Sequence, residues 1–349
     1  MSYFRPNIDE LAAYVPGEQP APGTRVIKLN TNENPYPPSP AALKVLHDLD
    51  ADALRRYPDP MATAVCRAAG AVCGLEADWV LAGNGSDDLL TMIMRACADD
   101  NRSVAYPMPT YVLYRTLAQI QDARCIEVDF DDDYNLPVEA LAAAQAAVTL
   151  VAMPNSPSGT VWPLEMLDDL AGRLTGMLVI DEAYADFAES NALSLVASRP
   201  NVIVLRTLSK GYSLAGLRLG FGLANPDLLA GLVKVKDSYN VDAVACRVAA
   251  AALADQDHKN ANARKVIASR QRLVGALTEL GFAVWPSQSN FLLARPPGGQ
   301  AQALYQALKA RGILVRYFKQ ARLDDKLRIT VGTDDENDAL TAAIRELLP

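Results

Sequence analysis

Lys210 lies in the string Arg206-Thr-Leu-Ser-Lys-Gly-Tyr-Ser-Leu-Ala-Gly-Leu-Arg218, with Thr207 and Ser209 before it and Arg218 eight residues after it. A primary amine can form a Schiff base with an aldehyde, and hydroxyls beside a guanidinium suit a phosphate. The grouping points to a covalently held, phosphorylated aldehyde. An isolated Ser-Lys pair at a strand end is ordinarily only a solvated lysine, but the whole string is richer than that. A second anion-binding device precedes it in Gly83-Asn-Gly-Ser-Asp-Asp88. There Gly85, Ser86 and Asp87 would open a helix, with backbone N–H groups turned outward and no bulk to keep an anion away. Taken alone, such a loop is more often only an ordinary helix start.

Asp181 closes the apolar run Leu178-Val-Ile-Asp181. A carboxylate at the end of a buried strand is costly unless paired. A protonated ring nitrogen would pair it, and the ring would remain an electron sink. Tyr184, three residues on, is placed to reach an oxygen of the same ring; a helix-capping Asp and a core Tyr are the plainer alternative. Tyr111 ends Tyr106-Pro-Met-Pro-Thr-Tyr111 and offers either a stacking face or a core aromatic. In the small C-terminal portion, Arg316 and Arg328 are candidates for paired hydrogen bonds to a carboxylate or phosphate, or for surface ion pairs.

These residues need a scaffold that brings strand ends together. Short apolar runs at Trp79–Ala82, Ser103–Tyr106, Cys125–Val128, Thr149–Met153, Leu178–Asp181 and Val202–Leu205 read as strands. Helical patterns such as Asp87–Ala98, Val138–Ala147 and Leu164–Leu174 separate most of them. The alternation predicts an α/β fold, with a mainly parallel sheet flanked by helices and ligands at its C-terminal edge. Residues 1–40 read as an N-terminal arm with a short helix at Ile8–Tyr14, and 41–253 as the large α/β domain. A smaller α+β domain over 254–349 has strands at Phe282–Trp285, Asn290–Ala294, Ile313–Arg316 and Leu327–Val331.

Composition limits the possible partners. Half of the 349 residues are hydrophobic and 21% are charged, as in a soluble globular protein too long for one ordinary core. The net charge of −8 disfavours nucleic acid or an anionic membrane as the main partner, while a local arginine pocket can still take a phosphate. The five cysteines have no metal-ligand spacing and are odd in number, so neither a metal site nor a disulfide framework is expected; Cys66 and Cys73 read as core or half-buried thiols. No basic leader precedes an apolar segment and no apolar run reaches membrane-spanning length, so the reducing cytoplasm is the expected location.

In their order and spacing, these motifs resemble those of the aspartate-aminotransferase fold family of pyridoxal-phosphate enzymes, in its histidinol-phosphate aminotransferase branch. The matching segments are Lys28-Leu-Asn-Thr-Asn-Glu-Asn-Pro35, Arg56-Tyr-Pro-Asp59, Asp181-Glu-Ala-Tyr-Ala-Asp-Phe187, the lysine string and Leu327-Arg-Ile-Thr-Val-Gly-Thr333. The resemblance implies pyridoxal 5'-phosphate held by Gly85, Ser86, Asp87, Tyr111, Asn155, Asp181, Tyr184, Thr207, Ser209, Lys210 and Arg218. It implies Lys210, Asp181 and Tyr184 as catalytic, and Arg328, Arg316, Tyr14 and Asn34 on the substrate side. Pro154-Asn-Ser-Pro-Ser-Gly159 departs from the family's PNNPTG turn, so either Asn155 or Ser156 would meet the ring oxygen, with Asn155 slightly favoured. A homodimer is implied, with Tyr57 reaching the partner's cofactor phosphate. The implied reaction joins L-histidinol phosphate and 2-oxoglutarate. An aromatic or broad-specificity aminotransferase, a threonine-phosphate decarboxylase and a non-catalytic cofactor-binding protein stand as alternatives.

Overall fold

The computed structural model describes residues 2–13, 18–20, 23 and 26–348. After β1 (Ile27–Lys28) come β2 (Val80–Gly83), β3 (Val104–Met108), β4 (Cys125–Asp129), β5 (Val148–Ala152), β6 (Met177–Asp181), β7 (Val202–Thr207) and β8 (Gly220–Ala224). Strands β2 to β8 form one seven-stranded sheet in the order β2-β8-β7-β6-β5-β3-β4. Its ladders are parallel except for β8, which runs antiparallel to both β2 and β7. Buried on both faces, β5, β6 and β7 carry the predominantly apolar runs that a covered parallel sheet requires. Apolar clusters fill both sides of the sheet, one built around the helix Ser86–Cys97 and the other around Ala243–Ala254 and Thr63–Cys73.

Strand β8 was not among the sequence-predicted strands. Its Gly220-Phe-Gly-Leu-Ala224 has too few branched residues to advertise a strand, yet the glycines serve it. A Cβ on Gly220 would lie 2.5 Å from the Ser86 nitrogen, so only glycine lets the helix start pack against this strand.

The C-terminal portion follows the helix Gln256–Glu279 with β9 (Ala283–Val284), β10 (Phe291–Arg295), β11 (Ile313–Leu314), β12 (Arg316–Tyr317) and β13 (Leu327–Thr330). An antiparallel sheet runs β12-β13-β10-β9, while β11 pairs in parallel with β1. The single strand expected at Ile313–Arg316 is thus two strands in two sheets. The supposed arm also contributes β1 to the C-terminal sheet system, with Leu29 buried in that core. The N-terminal helix spans Pro6–Asp9, its start set by Pro6, whereas the sequence suggested Ile8–Tyr14; Tyr14 itself lies outside the described residues.

Two buried ion pairs fix the turn after β6. Arg206 on β7 donates from Nε to Glu182 Oε2 at 2.7 Å, with the Glu182 side chain fully buried. Burial pushes the Glu182 carboxyl up, and Arg206 opposes that rise. Lys259, from the helix Gln256–Glu279, pairs with Asp186 at 3.1 Å and so ties this helix to the same turn. Removing one member of a buried pair leaves an uncompensated charge, at a cost of roughly 3–5 kcal/mol, whereas replacing both costs far less. Urea unfolding should therefore show a large loss for Arg206→Met and substantial recovery in Arg206→Met/Glu182→Gln.

Candidate active site

The ends of β2, β3, β5, β6 and β7 open onto one cavity of about 780 Å³. Because β8 runs the other way, its start, preceded by Arg218, lies at this same edge. The opposite wall comes from Arg316, Phe318 and Arg328, and the rim from residues 10–13 and the helix Leu113–Ile120. The arm is docked on that helix: Arg5 Nη2 donates to the Ile120 carbonyl at 2.7 Å and Asn7 Nδ2 to that of Gln119 at 2.8 Å.

Ser86, Asp87, Thr207, Ser209, Lys210 and Arg218 line one end of the cavity. Gly85 caps the helix Ser86–Cys97 at φ 83°, a left-handed conformation suited to glycine. A Cβ there would lie 2.8 Å from Arg218 Nη2, so the bare backbone makes room for the guanidinium. Arg218 itself adopts φ 55° and aims Nη1 at Ser209 Oγ, 3.4 Å away. Its Nη2 lies 3.4 Å from Asp87 Oδ2, an exposed contact that orients it more than it stabilises the fold. The Thr207 hydroxyl accepts from the Ser209 N–H at 3.1 Å and so shapes the turn that presents Lys210. Helix N–H groups, two hydroxyls and one guanidinium converging at one end form a cup for a dianionic phosphate.

Asp181 forms the floor. Desolvation pushes its carboxyl up to about 6, while the hydrogen bond from Tyr114 pulls it back down. The Tyr114 hydroxyl donates to Oδ2 at 2.8 Å and the Ala183 N–H to Oδ1 at 3.2 Å. The Lys210 amine lies 5.7 Å from the Tyr184 ring centroid and donates to the Thr31 carbonyl at 3.4 Å. Tyr184 accepts a hydrogen bond from Asn32 Nδ2 at 2.9 Å. Tyr111 lies in the wall, its hydroxyl 3.4 Å from Asp87 Oδ1 and its ring edge-on to Tyr114 at 5.6 Å.

Across the cavity, β12 and β13 place Arg316 directly opposite Arg328 in antiparallel register. Both guanidinium groups pack on the Phe318 ring, at 5.3 and 5.5 Å. Arg328 donates to Ser156 Oγ at 3.2 Å and to the Asn30 carbonyl at 3.0 Å. Two cations facing each other across a strand pair repel, and guanidinium groups so placed could take an anionic group by paired hydrogen bonds.

A model of the family described as "Aminotransferase class I and II" matches residues 24–344. The chain is 58% identical over 347 residues to histidinol-phosphate aminotransferase 1 of Trichormus variabilis, covering 99% of both chains. It is 45% identical to the histidinol-phosphate aminotransferase of Rhodopirellula baltica, over 99% of this chain and 96% of that protein. A crystal structure of the Sinorhizobium meliloti histidinol-phosphate aminotransferase in complex with pyridoxal-5'-phosphate superposes with a TM-score of 0.90 at 29% identity, covering 100% of this chain and 99% of that one. The chain belongs to the class I and II aminotransferases.

Within this aminotransferase, Asn155 and Asn34 sit elsewhere than anticipated. Asn155 is fully buried: its Oδ1 accepts from Thr110 at 2.9 Å and its amide donates to Ser158 Oγ at 2.9 Å. Ser156, not Asn155, reaches the cavity wall. Asn34 lies behind the lysine, donating to the carbonyls of Lys210 and Gly211 at 3.0 and 3.3 Å. Tyr57 is 82% exposed, outside its own chain's cavity, and stacks on Tyr239 at 4.5 Å. Sequence reading missed Tyr114, hidden as one position of an amphipathic helix, as well as Phe318 and Asn32.

The raised Asp181 carboxyl has a definite sign. In the protein without cofactor, its contribution to stability is complete below about 3.8 and is lost as pH rises through about 6. Asp181→Asn removes that component. Between pH 4 and pH 7 the unfolding free energy of the cofactor-free variant should therefore improve relative to its parent by on the order of 3 kcal/mol. Urea titrations at the two pH values measure it; parallel behaviour of the two proteins would refute a desolvated Asp181.

Proposed function

We propose that this aminotransferase uses pyridoxal 5'-phosphate to move an amino group from L-histidinol phosphate to 2-oxoglutarate, giving imidazole-acetol phosphate and L-glutamate. The observation that carries the reading is one cavity holding Lys210, the buried acid Asp181 and the facing pair Arg316 and Arg328. The donor set fits the cofactor: a buried carboxyl wanting a cationic partner at one side, and a phosphate cup at the end where Arg218 and Ser209 meet.

Bound there, the cofactor supplies an aldehyde carbon to carry the amino group and a ring that draws off carbanion charge. Asp181 holds the ring nitrogen's proton, fixed by Tyr114 so that the charge stays in register with the ring. Lys210 provides the amine that anchors the cofactor and then holds or delivers the proton at the substrate's Cα. Tyr184 and Ser156 face the ring's oxygen. Arg328 and Arg316 bind a phosphate ester in one half-reaction and a carboxylate in the other, and residues 10–13 of the arm limit access of water.

The same reading takes the working unit to be a cytoplasmic homodimer in which Tyr57 completes the partner's phosphate site. What supports this is an exposed aromatic pair, Tyr57 and Tyr239, beside exposed Leu54 and Met61, an apolar surface out of place on a monomer. The proposed division of the chain is an arm to residue 40, a large domain to residue 253 and a small domain beyond.

The deciding experiment follows the visible absorbance of the loaded protein on mixing with a single amino donor. Histidinol phosphate should discharge it at lower concentration than phenylalanine or tyrosine; preference for an aromatic amino acid would overturn the substrate assignment. Carbon dioxide release without keto-acid consumption would mark a decarboxylase instead. Arg328→Ala should lose on the order of 2–5 kcal/mol in kcat/KM for both substrates with cofactor affinity nearly intact. A matching loss of cofactor would contradict the assignment of Arg328 to substrate.

Subunit mixing tests the shared site. Heterodimers of Lys210→Ala and Tyr57→Ala subunits would contain one doubly defective site and one intact site. Activity should reappear after subunit exchange if Tyr57→Ala alone is inactive. Demonstrated heterodimers that stay inactive would place Tyr57 outside the partner's site.

A further inference from the structure

The segment Asn30–Asn32 touches three functional side chains in succession. The Asn30 carbonyl accepts from Arg328, the Thr31 carbonyl accepts from Lys210, and the Asn32 side-chain amide donates to the Tyr184 hydroxyl. Asn32 is buried, and its backbone lies at φ 57°, a conformation asparagine tolerates better than most residues. All its polar groups are engaged. Its N–H donates to Thr330 Oγ1 at 3.0 Å, that hydroxyl donates back to Asn32 Oδ1 at 3.0 Å, and its carbonyl accepts from Asn290 Nδ2 at 3.0 Å. The Thr330 hydroxyl thus holds the oxygen of the amide, which leaves the NH2 group facing Tyr184.

We infer that Asn32 is a positioning residue that sets the direction of the Tyr184 hydroxyl proton. A phenol oxygen has one proton to give. By accepting from Asn32 at 2.9 Å, Tyr184 is left to donate into the cavity that it lines. A donor to that oxygen also polarises the O–H and strengthens the bond it makes. Thr330, which fixes Asn32, lies two residues beyond Arg328 on β13 and therefore on the same face of that strand. One strand then carries both the anion-binding guanidinium and the support for the Tyr184 donor, coupling the substrate wall to the cofactor's oxygen.

The inference rests on the reading above that Tyr184 faces the oxygen of the bound cofactor. The other titratable and charged groups around Tyr184 are Lys210 from its loop, Asp181 and Tyr114 on the sheet side, and Arg328 across Phe291. Asn32→Gly alters none of these and keeps the left-handed backbone.

The test is a spectrophotometric pH titration of the loaded protein without substrate, which reads the ring environment and not turnover. Weakening the Tyr184 donor disfavours the charged oxygen, so Asn32→Gly should raise the midpoint by about half a pH unit. Tyr184→Phe should raise it further, and Asn32→Gly added to Tyr184→Phe should change nothing more. An unshifted midpoint in Asn32→Gly, or equal shifts in both backgrounds, would overturn the inference. If Tyr184→Phe itself titrates like the parent, Tyr184 does not face the ring and the inference falls with it. Borohydride labelling of Lys210 in the same protein separates that result from a failure of the cofactor reading, since a label on Lys210 would leave the latter standing.

Discussion

Asp181 is a buried carboxyl in the cavity lining, and its neighbours keep it aimed at one point. Its burial alone favours the neutral acid, and only a cation brought in by a ligand restores the charge without cost. The surrounding structure follows from that need. Tyr114 and the Ala183 N–H hold the two oxygens in place. The Glu182–Arg206 and Asp186–Lys259 pairs fix the turn that follows.

The rest of the site is a problem of direction. Parallel strands deliver their loops to one edge, which collects Ser86, Thr110, Ser156 and Asp181 from the ends of β2, β3, β5 and β6. Only β8 violates the pattern, and its reversal places Arg218 at that edge, immediately before the strand and close to Lys210 in sequence. The phosphate cup and the lysine are therefore the two ends of one short excursion, Leu208–Leu219, closed by the hydrogen bond from the Leu208 N–H to the Leu219 carbonyl at 3.0 Å.

Much of this was legible because the large sheet is buried on both faces. Such strands must be continuously apolar, and a polar residue at their ends has to be explained by something other than solvent. That is why Asp181 and the lysine string stood out. The parts that were not legible involve choices that residue type does not encode. Ile313–Arg316 reads as one strand, but Val315 is buried and the chain changes sheet there, carrying Arg316 round to face Arg328. Asn32 and Asn34 are identical in type and two apart; one reaches Tyr184 while the other holds the lysine backbone, and the difference comes from Asn32's left-handed φ. Asn155 and Ser156 are neighbours in a tight turn, and whichever satisfies the turn's own hydrogen bonds is lost to the cavity. The larger amide is the one consumed, with partners on both its oxygen and its nitrogen.

That consumption has a chemical consequence on the substrate side. With Asn155 turned inward, the cavity wall at this turn presents Ser156, and the serine hydroxyl accepts from Arg328. Arg328 is thereby linked to the turn over β5 as well as to the Asn30 carbonyl. These two neutral oxygens orient its guanidinium. Arg316 opposite has no carboxylate partner among the described residues and packs on Phe318. On one side of the cavity the two guanidinium groups pack on Phe318, and on the other the Asp181 carboxyl is steadied by the Tyr114 phenol.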